Sequence, residues 1–384
     1  NYLIAHDQFK LPIKAPVKKY TAQGPQLKIS DRNNLLTASS SKVSFVFDKK
    51  TGIITSYKVD GIEYFQDGFG IQPNFWRAPS DNDYGNGAPT RLQVWKQSSK
   101  DFNVVEATIE KEGQTAVIHA NYLLAAGNLY MVTYKIYPTG VVNVNAHFTS
   151  VSMEATPDEI SEATKSATFS PKSQAAREAA AKLEVPRIGV RFRLPADMQQ
   201  VQYFGRGPEE NYLDRQAGTI VGLYTTTAEK MYYPYVRPQE NGHHTDTRWV
   251  ALTGKNGKGL LIRANETMGF NALRNSIEDF DSEEAVKHDY QWSNFTEKEI
   301  AERNPEKAKN RLRRMHHVND ISPRNFVEVC VDMKQQGVAG YDSWGSRPEK
   351  AYSIPANQNY TWGFTLVPVK NNNEAASKAT LTYE

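Results

Sequence analysis

The stretch VVEATIEKEGQTAVIHANYLLAAGNLYMVTYKIYPTGVVNVNAHF, residues 104–148, decides the fold class. Four runs lie in it: Val104 to Lys111, Thr115 to Leu124, Leu129 to Tyr137 and Val141 to Phe148. Each is rich in β-branched and aromatic residues and alternates apolar with polar positions. Turn residues separate them at Glu112-Gly113, Gly127-Asn128 and Thr139-Gly140. A period of two places every second side chain on one face, which predicts antiparallel strands joined by short turns. The same pattern occurs earlier, in Ser44 to Asp48, Ile53 to Val59 and Ile62 to Phe65, with Thr51-Gly52 and Asp60-Gly61 between them. Further strands follow at regular spacing after Ile188. No β-α-β alternation is present, which excludes a TIM barrel or a dinucleotide-binding core and leaves a sandwich or barrel.

With 384 residues the chain is long enough for two or three average domains of about 150 residues, or for one very large all-β domain. The second option fits better. Residues 1–16 hold one strand-like run, Tyr2 to Phe9, and then the proline-punctuated Leu11 to Pro16. They read as the last strand and linker of a preceding domain. Residues 17–384 then form one β domain. Two segments break its pattern and predict helical excursions: one near 158–185, with the Ala-rich Gln174 to Lys182, and one near 276–317. In the second, the basic run Lys307 to Arg314 is offset by Glu278, Asp279, Asp281, Glu283 and Glu284, so it reads as a solvated helix face.

Composition narrows the partners. There are 46 basic and 43 acidic residues, a net charge of +3, too little to grip nucleic acid or an anionic membrane. No run approaches the ~20 apolar residues of a membrane span. Cys330 is the sole cysteine, so an intrachain disulfide and a CxxC metal site are excluded. It sits in the apolar run Phe326 to Val331 and reads as a buried thiol on a strand. The 20 Tyr, 16 Phe and 6 Trp supply rings that stack on the C–H faces of sugars, and without a basic field they lean toward carbohydrate.

Four clusters carry more polar and aromatic residues than strand patterning needs. In Asn74 to Gly87, the residues Asp81, Asn82 and Asp83 lack the full twelve-residue calcium loop. They either cap their own turn or bind a ligand. In Tyr203 to Arg215 and Tyr232 to His244, Arg and Glu alternate with aromatics, which suits a buried Arg–Glu pair holding loops together, or sugar contact. His243-His244 has no zinc-ligand spacing; one of the pair could transfer a proton beside Glu240, or both could be hydrogen-bonded core residues. In Gly340 to Gly345, Trp344 either caps a core or offers a platform for a sugar ring.

In this order the four motifs resemble the C-terminal part of a glycoside hydrolase family 2 β-galactosidase. The matching residues are Phe75-Trp76-Arg77-Ala78-Pro79 through Asp81-Asn82-Asp83; Gly207-Pro208, Glu210-Asn211-Tyr212 and Asp214-Arg215; Tyr235-Val236, Pro238 and Glu240-Asn241-Gly242; and Asp342-Ser343-Trp344. The opening His6-Asp7-Gln8-Phe9 resembles the end of the immunoglobulin-like domain before it. The resemblance implies a large antiparallel β-supersandwich of the galactose mutarotase type. It implies a parent that hydrolyses terminal β-D-galactose from galactosides such as lactose, with retention and two glutamates on an upstream TIM barrel. Those glutamates and the family's magnesium site are expected upstream, so no catalytic residue, cofactor or metal is assigned to this chain. Residues 81–86 match a mobile loop beside the site, with Gly85 as its hinge, and Trp344 matches the tryptophan that stacks on the aglycone sugar. The implied substrate-binding set is Trp344, Asp81, Asn82, Asp83, Gly85 and Asn86, followed by Arg77, Glu240, Asn241 and His243, which read first as scaffold. The expected partners are the galactoside, the upstream barrel and possible further copies of the chain. The rival readings are a free-standing mutarotase using His243 or His244 with Glu240, and a non-catalytic carbohydrate-binding module.

Overall fold

The computed structural model describes residues 7–13, 18–150, 184–281, 302, 317–342, 345–371 and 373–383. Most of segment 1–16, most of both expected helical excursions, and Trp344 lie outside the described residues.

A five-stranded meander comes first: β2 (Lys28–Arg32), β3 (Leu35–Ser39), β4 (Val43–Asp48), β5 (Ile53–Val59) and β6 (Ile62–Glu63), paired antiparallel in that order. Its tight turns are made as the sequence predicts. Asp60 and Gly61 both take positive φ, 48° and 82°, the geometry a two-residue hairpin requires. The short β1 (Lys18–Lys19) pairs in parallel with β19 (Leu381–Thr382).

Twelve strands make the second sheet: β7 (Gln72–Asn74), β8 (Asn103–Glu112), β9 (Thr115–Leu123), β10 (Leu129–Ile136), β11 (Val142–Thr149), β12 (Arg187–Pro195), β13 (Gln200–Gly207), β14 (Ile220–Thr227), β15 (His244–Thr253), β16 (Gly259–Leu273), β17 (Phe326–Gln335) and β18 (Tyr360–Val369). The four strands expected between residues 104 and 148 are β8 to β11, with ends within a residue of expectation. The sheet forks at the 15-residue β16. Its first half, from Gly259 to Ala264, pairs with β18, and its second half, from Gly269 to Leu273, pairs with β17. The β17 branch continues through β12 to β7. The first motif therefore leaves the sheet where β7 ends, beside the start of β12 and the end of β17.

The two sheets share one apolar core. Phe45 of β4 meets Tyr134 of β10 at 6.0 Å, and Phe65 meets Phe192 of β12 at 5.5 Å. The buried Tyr57 hydroxyl donates to the Gly140 carbonyl across the sheets, 2.6 Å. Phe75, fully buried after β7, lies 6.0 Å from Trp95, 5.2 Å from Tyr130 and 5.8 Å from Phe148. At the far edge, Gln8 sits against β14. Its amide nitrogen Nε2 donates to the Val221 carbonyl (2.8 Å), and its Oε1 accepts from the Val221 N–H (2.7 Å).

Phe75→Ala should destabilise the chain by about 3–5 kcal/mol, through lost burial and the cavity left among those rings. Denaturant midpoints measure it. A loss under about 1 kcal/mol would show that this ring cluster does not anchor the first motif.

Candidate functional site

The end of the β17 branch gathers the motifs, and a buried guanidinium holds them. Arg187 opens β12 and has no exposed surface. Its Nη2 donates to Glu240 Oε1 at 2.6 Å and to Gln335 Oε1, and its Nη1 donates to the Trp76 carbonyl at 3.2 Å. Asp332 Oδ2 lies 3.3 Å from its Nε. One side chain thus joins the loop after β7, the segment before β15, and β17. Burial opposes the charge, but Asp332 and Glu240 hold the Arg187 pKa above its ordinary value. Asn271 of β16 adds a hydrogen bond to Glu240 Oε1, 3.3 Å.

A second buried pair fixes the first motif. Arg77 Nη2 lies 3.0 Å from both Asp83 carboxylate oxygens, and the guanidinium also donates to the carbonyls of Gln336 and Gly337. Asp83 in turn accepts from the Ser80 N–H (3.0 Å), while Ser80 Oγ accepts from the Asp83 N–H (3.2 Å). This reciprocal capping box starts the helical turn α1 (Asp81–Gly85). The family resemblance implies a mobile loop at 81–86; residues 81–85 form this capped helical turn. The Ser80-x-x-Asp83 spacing was the available signal. Two more short helices follow, α2 (Ala88–Arg91) and α3 (Gln93–Ser98), and bury Leu92 and Trp95. Asn86 is buried too; its Oδ1 accepts from the Ala88 N–H and from Arg91.

The exposed side of α1 carries Asp81 and Asn82. Asn82 Nδ2 donates to the Asp342 carbonyl, 3.0 Å. Gly345, at φ 119°, packs so closely that a Cβ there would come 2.4 Å from the Gly85 carbonyl carbon. Residues on both sides of position 344 therefore lie against α1.

Of the candidate residues, Asp81, Asn82 and Gly85 come together at one face, with Asp342 and Gly345 against it. Arg77, Asp83, Asn86, Glu240, Asn241 and His243 are buried, and the side chains of the first five hydrogen-bond within the protein. Asn241 accepts from the Tyr233 N–H and donates to the Gln239 carbonyl. His243 stacks on Tyr212 at 5.6 Å, with its Nδ1 3.7 Å from Asp332 Oδ2. Burial first, and then the nearby Arg187, hold it well below the ordinary imidazole pKa, so it is neutral. His244 is likewise lowered by burial, and its two ring nitrogens face the Gly242 and Pro208 carbonyls. The cavity lined by Glu240, Asn241 and Asn271 has a volume of about 10 Å³, room for a single water at most. No hexose reaches Glu240 there.

Among the described residues no three His, Cys, Asp or Glu side chains gather as metal ligands. No described helix is long and apolar enough to cross a membrane. Cys330 is buried on β17, as its apolar run predicts, and burial raises its thiol pKa well above the ordinary value. Sequence reasoning missed Arg187 and Asp332. Arg187 opens a strand that also holds Arg191 and Arg193, and Asp332 shares its strand with Glu328 and Lys334; opposite charges on two runs of strand-forming residues were the available signal.

Asp332 has a pKa of about 7, raised by burial and by Glu240 against the pull of Arg187. An unfolded aspartate titrates near about 4. The folded chain keeps the extra proton between those values, so this group's contribution to stability is full below pH ~4 and is lost as pH rises toward ~7. Asp332→Asn should flatten that fall in a plot of denaturation midpoint against pH. Parallel curves for the two proteins would rule out Asp332 as its source. Arg187→Met, which strands two buried carboxylates, should cost about 3–5 kcal/mol at pH 7.

A family model described as the beta galactosidase small chain matches residues 39–366. The β-galactosidase of Priestia megaterium is 30% identical over 370 residues, covering 96% of this chain and 30% of that protein. Those of Streptococcus thermophilus (24% over 371 residues; 96% and 29% covered) and Halalkalibacterium halodurans (25% over 365 residues; 94% and 30%) also match. The chain thus spans about 30% of the length of these curated relatives. Among solved structures, a galactose mutarotase related enzyme from Lactobacillus acidophilus aligns with a TM-score of 0.42 and 10% identity, over 88% of this chain and 98% of that one. A galactose 1-epimerase from Lactobacillus acidophilus NCFM aligns at 0.37 and 8% identity, over 91% and 100%. With the family model spanning most of its length, the chain belongs to the β-galactosidase small-chain family.

Proposed function

We propose that this chain is the C-terminal part of a retaining glycoside hydrolase family 2 β-galactosidase and builds the aglycone side of its active site. The observation that carries the reading is the meeting of two distant motifs. The exposed side of α1 lies against the residues flanking position 344, through Asn82 and the Asp342 carbonyl and through Gly345 and the Gly85–Asn86 backbone. A tryptophan at that position offers a ring face to the C–H surface of a sugar in the aglycone subsite, while Asp81 and Asn82 supply polar edges beside it.

The division of labour follows from the chemistry. Retention needs a nucleophilic carboxylate and an acid/base carboxylate about 5–5.5 Å apart. Glu240 and Asp332 are instead turned inward onto one buried guanidinium. The hydrolytic pair belongs to the part of the parent upstream of this chain, on its barrel, and this chain by itself has no galactosidase activity. Its contribution is to hold the leaving sugar, or an acceptor sugar, while the galactosyl group passes to water or to that acceptor. Lactose, with glucose as the leaving sugar, is the substrate proposed for that parent.

Trp344→Ala in the full-length parent should raise KM for lactose, and the half-saturating concentration of glucose as acceptor, about two- to tenfold, as expected for the loss of a stacking contact of about 0.5–1.5 kcal/mol. Hydrolysis of an aryl galactoside, whose leaving group needs no sugar platform, should suffer less. Equal losses on both substrates would remove the platform role.

A further inference from the structure

The segment from Tyr232 to His244 is tied down at its C-terminal end. Glu240 is held by Arg187, the Glu240 N–H donates to the Ala78 carbonyl, and the Gly242 N–H donates to Glu210. Just before these ties, Arg237 reaches out of the segment to α1. Its guanidinium carbon lies 3.6 Å from the centre of the Tyr84 ring, and its Nη1 is 3.4 Å from Asp81 Oδ1. The Gln239 side chain adds an acceptor 3.4 Å from the Asp81 nitrogen. The Arg237 side chain is 32% exposed and that of Asp81 67%, so this contact stands at the rim rather than in the core. α1 has five residues, far too few to hold itself. The capping box and Arg77 secure its inner side. Its outer side depends on the contacts from Arg237, Gln239 and the Asp342 loop.

We propose that Arg237 is a positioning residue for the aglycone-side face. By sitting over the Tyr84 ring while pairing with Asp81, it sets where Asn82 and the Gly85–Asn86 end of α1 stand against Asp342 and Gly345, and so tunes acceptor-sugar preference. This rests on the reading of that face given above. The position uses the shape of arginine. A planar guanidinium covers a ring with its face and meets a carboxylate with its edge at once, whereas a lysine ammonium is a single point of charge.

The test uses the full-length parent carrying wild type, Arg237→Ala, Arg237→Lys and Trp344→Ala. Two readouts are taken: amide hydrogen exchange over residues 82–87, and the ratio of transfer to hydrolysis as glucose is added. Arg237→Ala should speed exchange across α1 while leaving the β15 amides as they were. It should also raise half-saturating glucose about two- to fivefold, the size of an exposed cation–ring contact. Arg237→Lys should restore part of both. Unchanged exchange in Arg237→Ala overturns the clamp whatever the kinetics show. Faster exchange with no shift in glucose dependence, in a parent where Trp344→Ala does shift it, overturns the link to acceptor preference. If Trp344→Ala also leaves glucose dependence unmoved, the functional reading of the face fails, and the clamp is decided by the exchange data alone.

Discussion

The arrangement of this molecule's functional end depends on a charge placed where water cannot reach it. Arg187 lies wholly inside the protein, and a bare guanidinium there would be prohibitively unfavourable. Glu240, Gln335 and the Trp76 carbonyl accept its hydrogen bonds and Asp332 adds a second counter-charge, and these partners come from three stretches of the chain. Apolar packing alone would tolerate small slides of these loops. Directional bonds to one fixed group do not, so the network acts mainly on where the loops stand and less on how strongly the chain folds. The Arg77–Asp83 pair repeats the arrangement one layer out, coupling α1 to the turn after β17.

The sheet makes that convergence possible. Because β16 changes partner halfway along its length, the β17–β12–β7 branch separates from the rest and ends as a group. Asn74, Gly189, Asp332 and Gly269 stand in one cross-strand row through paired registers. The chain that leaves this row at β7 enters α1, and the chain that leaves it at β17 runs to the 342–345 loop. Two strand ends in register therefore deliver two motifs far apart in sequence to the same surface.

How much of this the sequence shows depends on the range of the forces involved. Residues 104–148 are legible almost to the residue, because period-two alternation and glycine-bearing turns are local signals that burial on one face reinforces. The turn at Asp60-Gly61 is legible for the same reason. The helices from Asp81 to Ser98 are not, since each is one or two turns long and stands by tertiary contacts, α1 through the Arg77–Asp83 pair and the next two beside the buried Leu92 and Trp95, rather than by its own propensity. A buried Arg–Glu pair tying loops together is foreseeable in kind. That Arg187 would be the arginine is not, because its partner Glu240 is 53 residues away and only the folded sheet brings them together. Trp344 and the 81–86 segment acquire their assigned roles through family resemblance; physical reading of the residues alone leaves a platform and a core cap equally open.

The contact of Gln8 with Val221 carries a consequence of another kind. β14 is the terminal strand of the long sheet order, and a terminal strand displays unused amide and carbonyl groups on which a stray strand from another molecule can template itself. The carboxamide of Gln8 presents one donor and one acceptor at the spacing of a peptide group and occupies both valences of Val221. A single side chain thereby impersonates a neighbouring strand near the start of β14. An intruding chain would have to evict it before pairing could propagate past Val221, so this end of the border is guarded against runaway self-association.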